Sequence, residues 1–600
     1  MRPEISHSFA SINLRRVLIA FLLIGVLGAG FILATRKAGA ATVWTVSNGS
    51  AGACDLGDPN CATITAAVLA SSSGDTINVT AGNYPESNIL VNKSLTINGA
   101  GAPTTIVDGQ QDNRVFDVTS GPVSISGLSI INGLSNSGLS NPEGGFPGEN
   151  GGGIRNTGSL TINNCVIHAN QTGSGGDFVS SPAEPTNAKK RPNLVFGPSG
   201  GQGGNGAGIY NGGTLIVMNS TIDGNKTGNG GSGGGFASGG GGGDGGGIWN
   251  SGSATVINST IANNRTGDGG AVGTPPPPPE GPVEQSSPAF FEGATGGSGG
   301  EGGGVFNGGS GGLNLRNSTV ASNQTGIGGQ GGALPVTSPA TKTSDPGGHA
   351  LAPGDGLGGN GGGVYTGTAG TTLTVKSSLI ANNSVGAGGI GPDVFSDTPV
   401  ASQGFNLVGK TDGSSGWVGT DQTGTIAAPL NPLLNALADN GGPTFTMSLQ
   451  TGSPAVDKGI NSFGLPFDQR GTGFPRTSDN TSVGNGSGDA TDVGAYEVQT
   501  PPGPCNPDVT KPLITCPGSV TKYTDSGQVS ANVNVPTPPA SDNCQLKSVV
   551  GTRSDGKALN APYPRGVTII TWTATDASNN TSTCTQSIVV MSPGSRKVLP

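Results

Sequence analysis

NGGGIRNTGSLTINNCVIHANQTG begins at Asn150, and the phrase returns as NGAGIYNGGTLIVMNSTIDGNKTG at Asn205 and DGGGIWNSGSATVINSTIANNRTG at Asp244. It returns again as EGGGVFNGGSGGLNLRNSTVASNQTG at Glu301 and NGGGVYTGTAGTTLTVKSSLIANNSVG at Asn360. Each copy reads Asn, Asp or Glu, a glycine-rich turn, a short apolar-x-polar strand, an alternating strand, and then a Ser-Thr-Ile-like strand ending at an Asn corner. A unit of about 25 residues with three short strands cannot bury an apolar face alone, but a stack of such units can. The expected fold is therefore all-β, a right-handed parallel β-helix.

Alternation assigns the faces. Ile154, Ile209, Ile248, Val305 and Val364 form one inward column, with Leu160 and Ile162, Leu215 and Val217, Leu313 and Leu315, and Leu373 and Val375 beside it. Ile167, Ile222, Ile261, Val320 and Ile380 form another. Three residues later Asn170, Asn225, Asn264, Asn323 and Asn383 recur at a corner, where stacked amides can satisfy one another. Their overlap with Asn-x-Ser/Thr sequons is then incidental. Cys165 stands where other copies have Ser220, Ser259, Ser318 and Ser378, and reads as a small inward residue.

Composition agrees with a solenoid. Glycine is 112 of 600 residues and aromatic residues are 4%, which suits a thin apolar axis better than a large globular core. A net charge of −9 argues against nucleic acid or an anionic membrane surface as partner. At the N-terminus, Arg15 and Arg16 precede an apolar run from Val17 to Ala34, and Ala38-Gly39-Ala40 supplies a small-residue cleavage site. Residues 1–40 thus read as a signal peptide or, uncleaved, as an anchor flanked by Arg36 and Lys37. The mature chain is expected outside the cytoplasm, and seven cysteines suit that compartment. Cys54 and Cys61 are expected to bridge. Cys505, Cys516, Cys544 and Cys584 allow three connectivities.

Residues 42–435 read as the β-helix, opened by a short helix near Cys61–Val68 that caps the first coil. Insertions at about 174–204, 229–243, 268–300 and 329–359 enter at one point of the repeat, so they should leave the same side of the solenoid. Their glycine-rich composition predicts mobile segments dispensable to folding.

Leu95-Thr96-Ile97-Asn98-Gly99-Ala100-Gly101 resembles a signature of bacterial surface β-helix proteins of the pectin-lyase-like class. Asp439-Asn-Gly-Gly-Pro-Thr444, Gly452-Ser453-Pro454-Ala455-Val456-Asp457, Asp468-Gln469-Arg470-Gly471 and Asp492-Val493-Gly494-Ala495-Tyr496-Glu497 resemble the choice-of-anchor Q domain. That resemblance spans residues 436–499 and implies a role in closing or sorting the helix. After a Pro-rich linker at 500–508, residues 509–592 carry Lys511-Pro512 to Cys516-Pro517, Asp542-Asn543-Cys544, Pro564-Arg565-Gly566 and Trp572 to Asp576. These resemble a hyalin repeat, which implies an immunoglobulin-like sandwich and extracellular adhesion or spacing. Short strands with regular turn residues suggest the same class.

Chemistry is sparse. Hydrolysis of a glycoside needs two carboxylates held close on one surface, and within the repeats the carboxylates look isolated. His168 lies in a variable column with Asp223, Ala262, Ala321 and Ala381. The column Asn150, Asn205, Asp244, Glu301, Asn360 offers oxygen ligands suited to calcium, although turn chemistry accounts for the same residues. No other cofactor is implied. Following Ile154, the positions Arg155, Tyr210, Trp249, Phe306 and Tyr365 lie between inward columns and so point outward. In a chain this poor in aromatics, Tyr210, Trp249, Phe306 and Tyr365 are candidate glycan-binding residues; packing under the glycine-rich segments is the alternative. The sequence leads to an exported, non-catalytic adhesion or glycan-contacting stalk on a bacterial surface. Its expected partners are extracellular polysaccharide or another cell surface. A polysaccharide lyase or glycoside hydrolase and a purely structural envelope protein are the rivals.

Overall fold

The computed structural model describes residues 41–50, 52–179, 198–234, 237–273, 294–309, 311–331, 343–344, 350–351, 354–367, 370–499, 508–542 and 544–592. The expected signal segment and Cys505 lie outside these residues.

From Val43 onward the chain winds into three parallel sheets, and each turn adds one strand to each sheet. The first sheet has 11 strands, the second 10 and the third 8. In one coil Ile154–Asn156 joins the third sheet, Ser159–Asn163 the first and Val166–His168 the second. The repeat alignment is the pairing register: Ile154 faces Ile209, Leu160 faces Leu215 and Ile167 faces Ile222. The predicted inward residues are fully buried in one continuous core, with Cys165 among them. Burial pushes the Cys165 thiol up to about 11, which keeps it unreactive.

Corner amides hold the coils together. Asn170, Asn225, Asn264 and Asn323 each donate Nδ2 to Oδ1 of the next Asn, over 3.0, 2.8, 2.9 and 3.0 Å. Asn383 passes the ladder to Asp393 Oδ1 at 2.9 Å. A second ladder, not anticipated from the sequence, runs Asn156 to Asn211 to Asn250 to Asn307 over 2.6, 2.7 and 2.8 Å. Helix α1, Ile64–Ala70, closes the first coil as expected, with Thr63 as its N-cap. At the other end Trp417 packs on the core and donates to Ser414 Oγ at 3.1 Å.

The insertions depart from expectation. Their described parts are an ordered layer. Outgoing segments 173–178, 228–233, 267–272 and 326–331 stack in one row, and returning segments 199–204, 238–243, 295–300 and 354–359 stack in another. Within rows, Gly175 donates to Asn229, Gly230 to Asp268 and Gly269 to Ile327, each at 2.8 or 2.9 Å. Between rows, Gly201, Gly231, Gly240, Gly270, Gly297 and Gly329 form a zigzag in which each donates to the glycine before it; Gly201 binds Gly176. Burial repeats every third residue. Two glycines face neighbouring segments and one side chain, such as Ser174, Asn229 or Ser232, faces out. That period belongs to polyproline-II-type helices, which make no internal hydrogen bonds and must pair sideways. A Cβ on Gly201, Gly231 or Gly270 would overlap the carbonyl oxygen of Phe146, Gly176 or Gly231. Glycine here permits close packing and does not confer mobility. The Thr of each Asn-x-Thr-Gly corner latches the layer to the helix: Thr172, Thr227, Thr266 and Thr325 donate to Gly204, Gly243, Gly300 and Gly359.

Residues 436–499 lie along the outer face of the second sheet. Thr221 Oγ1 donates to Phe445 O and Thr260 Oγ1 to Gln469 Oε1, both at 2.6 Å, and Ala495 N donates to Thr319 Oγ1 at 3.0 Å. Met447 sits on Ala262 and Ala321, while Ala455 and Val493 pack with Leu379 and Ala381. The alanines of the variable column, Ala262, Ala321 and Ala381, lie under this segment.

In the C-terminal module, Leu546–Arg553, Gly566–Asp576, Thr581–Met591 and Val520–Tyr523 form a four-stranded sheet. Trp572, Tyr563, Ile570 and Ile588 fill its core, consistent with the immunoglobulin-like sandwich. Among the described residues, no helix is long and apolar enough to cross a membrane.

Candidate functional site

The third sheet puts the aromatic column in one row. Tyr210, Trp249, Phe306 and Tyr365 are consecutive register partners, each half-buried between two buried neighbours. Their rings stack face to face, with centroids 4.4, 5.9 and 5.0 Å apart and planes within 7°. Phe395 extends the row at 5.2 Å from Tyr365. It escaped the sequence reading because its coil lacks most of the repeat. The spacing Gly391-Pro392-Asp393-Val394-Phe395 nevertheless matches Gly361-Gly362-Gly363-Val364-Tyr365. At the other end Arg155 pairs in register with Tyr210 and binds Asp117 through two bonds of 2.6 and 2.9 Å. Because the rings use their faces on one another, a ligand crossing the row meets ring edges and tyrosine hydroxyls.

The column Asn150, Asn205, Asp244, Glu301, Asn360 borders this row across a tight turn. The following glycines, Gly151, Gly206, Gly245, Gly302 and Gly361, have φ of 73°, 66°, 64°, 66° and 67°, a conformation that disfavours side chains. The Asn and Asp oxygens of the column serve the backbone of the next coil, while Glu301 accepts from the Asn360 amide at 3.2 Å. Asn150, Asn205 and Asp244 accept from the N–H of Asn205, Asp244 and Glu301 at 2.8, 2.7 and 2.8 Å. The oxygens read as calcium ligands are thus engaged in turn chemistry. Asp244 and Glu301, isolated in the sequence, are neighbours in the stack. Burial, with the Glu301 charge added, pushes the Asp244 carboxyl up to about 7. Burial also raises Glu301, against hydrogen bonds from Tyr365 and Asn360. The result is a continuous strip of amides, carboxyls and ring edges.

Two further polar groups stand on the second-sheet side. His168 Nδ1 lies 2.9 Å from Asp223 Oδ2, with the imidazole 49% exposed; that hydrogen bond raises the His168 pKa. In the segment over the sheet, Arg470 binds Asp468 at 2.6 Å, and its guanidinium lies 3.9 Å from each of the Phe474 and Tyr496 rings. Arg470 comes from the Asp-Gln-Arg-Gly stretch and Tyr496 from the Asp-Val-Gly-Ala-Tyr-Glu stretch, so packing with one another explains why both motifs occur together.

Of the six cysteines expected to bridge, Cys54 bonds Cys61 and Cys516 bonds Cys584. Cys544 is also disulfide-bonded.

Residues 507–590 match the HYR domain. Over 86 residues the chain is 41% identical to the "Sushi, von Willebrand factor type A, EGF and pentraxin domain-containing protein 1" of Rattus norvegicus, and likewise of Mus musculus. The match takes in 14% of this chain and spans 2% of the length of those relatives. Among solved structures, the pectin methylesterase PemA from Erwinia chrysanthemi is 12% identical, with a TM-score of 0.21 over 57% of this chain and 81% of that one. The Escherichia coli protein ybhc gives the same identity and score, over 57% and 73%. The chain joins a parallel β-helix to a HYR domain with disulfides, a combination that suggests an extracellular or cell-surface protein.

Proposed function

We propose that this is an exported bacterial surface protein whose β-helix is a non-catalytic stalk that contacts glycan along the third sheet. The observation that carries the reading is the strip itself. A row of six residues from Arg155 to Phe395 runs beside an amide and carboxyl column over consecutive coils. An extended polysaccharide presents hydroxyls and C–H faces at a similar repeat, which ring edges and amides complement. The HYR domain supports placement at the surface, and the 436–499 segment covers the second sheet and leaves the strip on the third. The test is a glycan array probed with the chain from residue 42 onward. Binding to extended polysaccharide that weakens about tenfold in Trp249→Ala, with the fold intact, is expected. Wild-type binding to no extended glycan would overturn the reading.

A second reading rests on Asp244 and Glu301. Two stacked carboxyls, one held near neutrality, are the raw material of glycoside hydrolysis. Release of reducing ends from the same glycans, abolished by Asp244→Asn, would select this enzyme reading over the stalk.

A further inference from the structure

The HYR module carries a feature that the strip reading does not use. Asp508 and Asp542 bring carboxylate oxygens within 4.8 Å of each other at one end of the sandwich, beside Cys544. Each carboxylate spends one oxygen locally: Asp508 Oδ1 accepts from Thr510 N, and Asp542 Oδ2 from Cys544 N, both at 3.0 Å. The other oxygens, Asp508 Oδ2 and Asp542 Oδ1, are cut off from solvent and have no hydrogen-bond partner. The Asp508 side chain itself is buried. Ion pairs elsewhere in the module's described residues join Lys522 to Asp525 and Arg553 to Asp555, and so leave this pair unanswered. Asn580 fixes the site by donating Nδ2 to Asp508 O at 3.1 Å and Asp576 Oδ2 at 2.8 Å.

We infer that Asp508 and Asp542 jointly bind a calcium ion. Buried carboxylate oxygens are left unpartnered at a cost, and an ion is one of the groups that answers it. Cys544 sits in a disulfide, so its sulfur is no thiolate ligand and the charged donor set is all oxygen. Such a set favours hard cations over zinc. Calcium accepts oxygens at roughly 2.3–2.6 Å, so one ion can span two oxygens that lie within 4.8 Å of each other, with waters completing its shell. Two carboxylates predict an affinity near that of extracellular calcium modules, on the order of 0.1–1 mM.

The experiment is thermal unfolding of the chain from residue 42 onward, in EDTA and in about 10 mM CaCl2. The module's transition should rise by about 5 °C in calcium. Asp508→Asn with Asp542→Asn should remove that rise while keeping the transition in EDTA. Equal wild-type midpoints in the two buffers would overturn the site, as would a calcium response that survives in the double variant. Should the double variant fail to fold, calorimetric titration of wild type with CaCl2 decides, and absence of saturable binding overturns the inference.

Discussion

The β-helix and the glycine layer grow from the same run of repeats, yet they exclude water with opposite materials. In the helix, backbones hydrogen-bond between coils about 4.8 Å apart and the interior is side chain. In the layer, segments pack against neighbours on several sides and the interior is backbone. The first kind of core accepts exchange among Ile, Val and Leu, as the column Ile154, Ile209, Ile248, Val305, Val364 shows. The second accepts no side chain at its inner positions, because the atoms facing each glycine are carbonyls that cannot move without breaking a rung. Low complexity can thus encode order when every third residue is left free to face water.

The sharpest way to break the comparison is to put a charge in the side-chain core. Ile248→Asp should cost about 4–5 kcal/mol, since the carboxylate would be buried between Ile209 and Val305 without a partner. Chemical denaturation of the β-helix measures it. Next, Gly270→Val should cost about 3 kcal/mol or more, while Ser232→Val, on an outward position, should change stability by under about 0.5 kcal/mol. Equal effects would mean that the layer does not pack as a unit. Asn264→Ala should cost about 2 kcal/mol, because it removes a donor to Asn323 and the Oδ1 that accepts from both Asn225 N and Asn225 Nδ2.

The smallest effect is in pH. Asp244 titrates at about 7 in the folded chain, and Asp393, which ends the corner ladder, at about 6. An unfolded aspartate titrates near 3.9. The folded state binds the extra protons, so their contribution is complete below about pH 4 and is lost as pH rises through 6–7. Thermal midpoints should therefore fall between pH 4.5 and pH 8. Asp244→Asn restores the residue used by Asn150, Asn205 and Asn360, and should flatten the upper part of that slope and add about 1 kcal/mol at pH 8.

Much of the molecule was legible because a repeat is its own alignment. Copies written under one another give the inward columns, the Asn170 ladder, the aromatic row and the shared exit of the insertions without any knowledge of tertiary contacts. Phe395 was missed where the repeat decays, and the Asn156 ladder because an Asn after an outward residue reads as turn. Cys54 and Cys61 were paired by proximity in sequence, while Cys516 and Cys584 were found only in space.

By itself the sequence determined the periodic parts: strand order, register and which side chains face the axis, all of which depend on spacing along one chain. Tertiary structure alone decided the rest. It turned glycine-rich insertions into a layer, since their hydrogen bonds run between segments about 10 to 60 residues apart. It laid 436–499 along the solenoid and turned the aromatic faces toward one another. Each of these rests on what neighbouring coils present at the same height, a quantity that spacing along the chain does not contain.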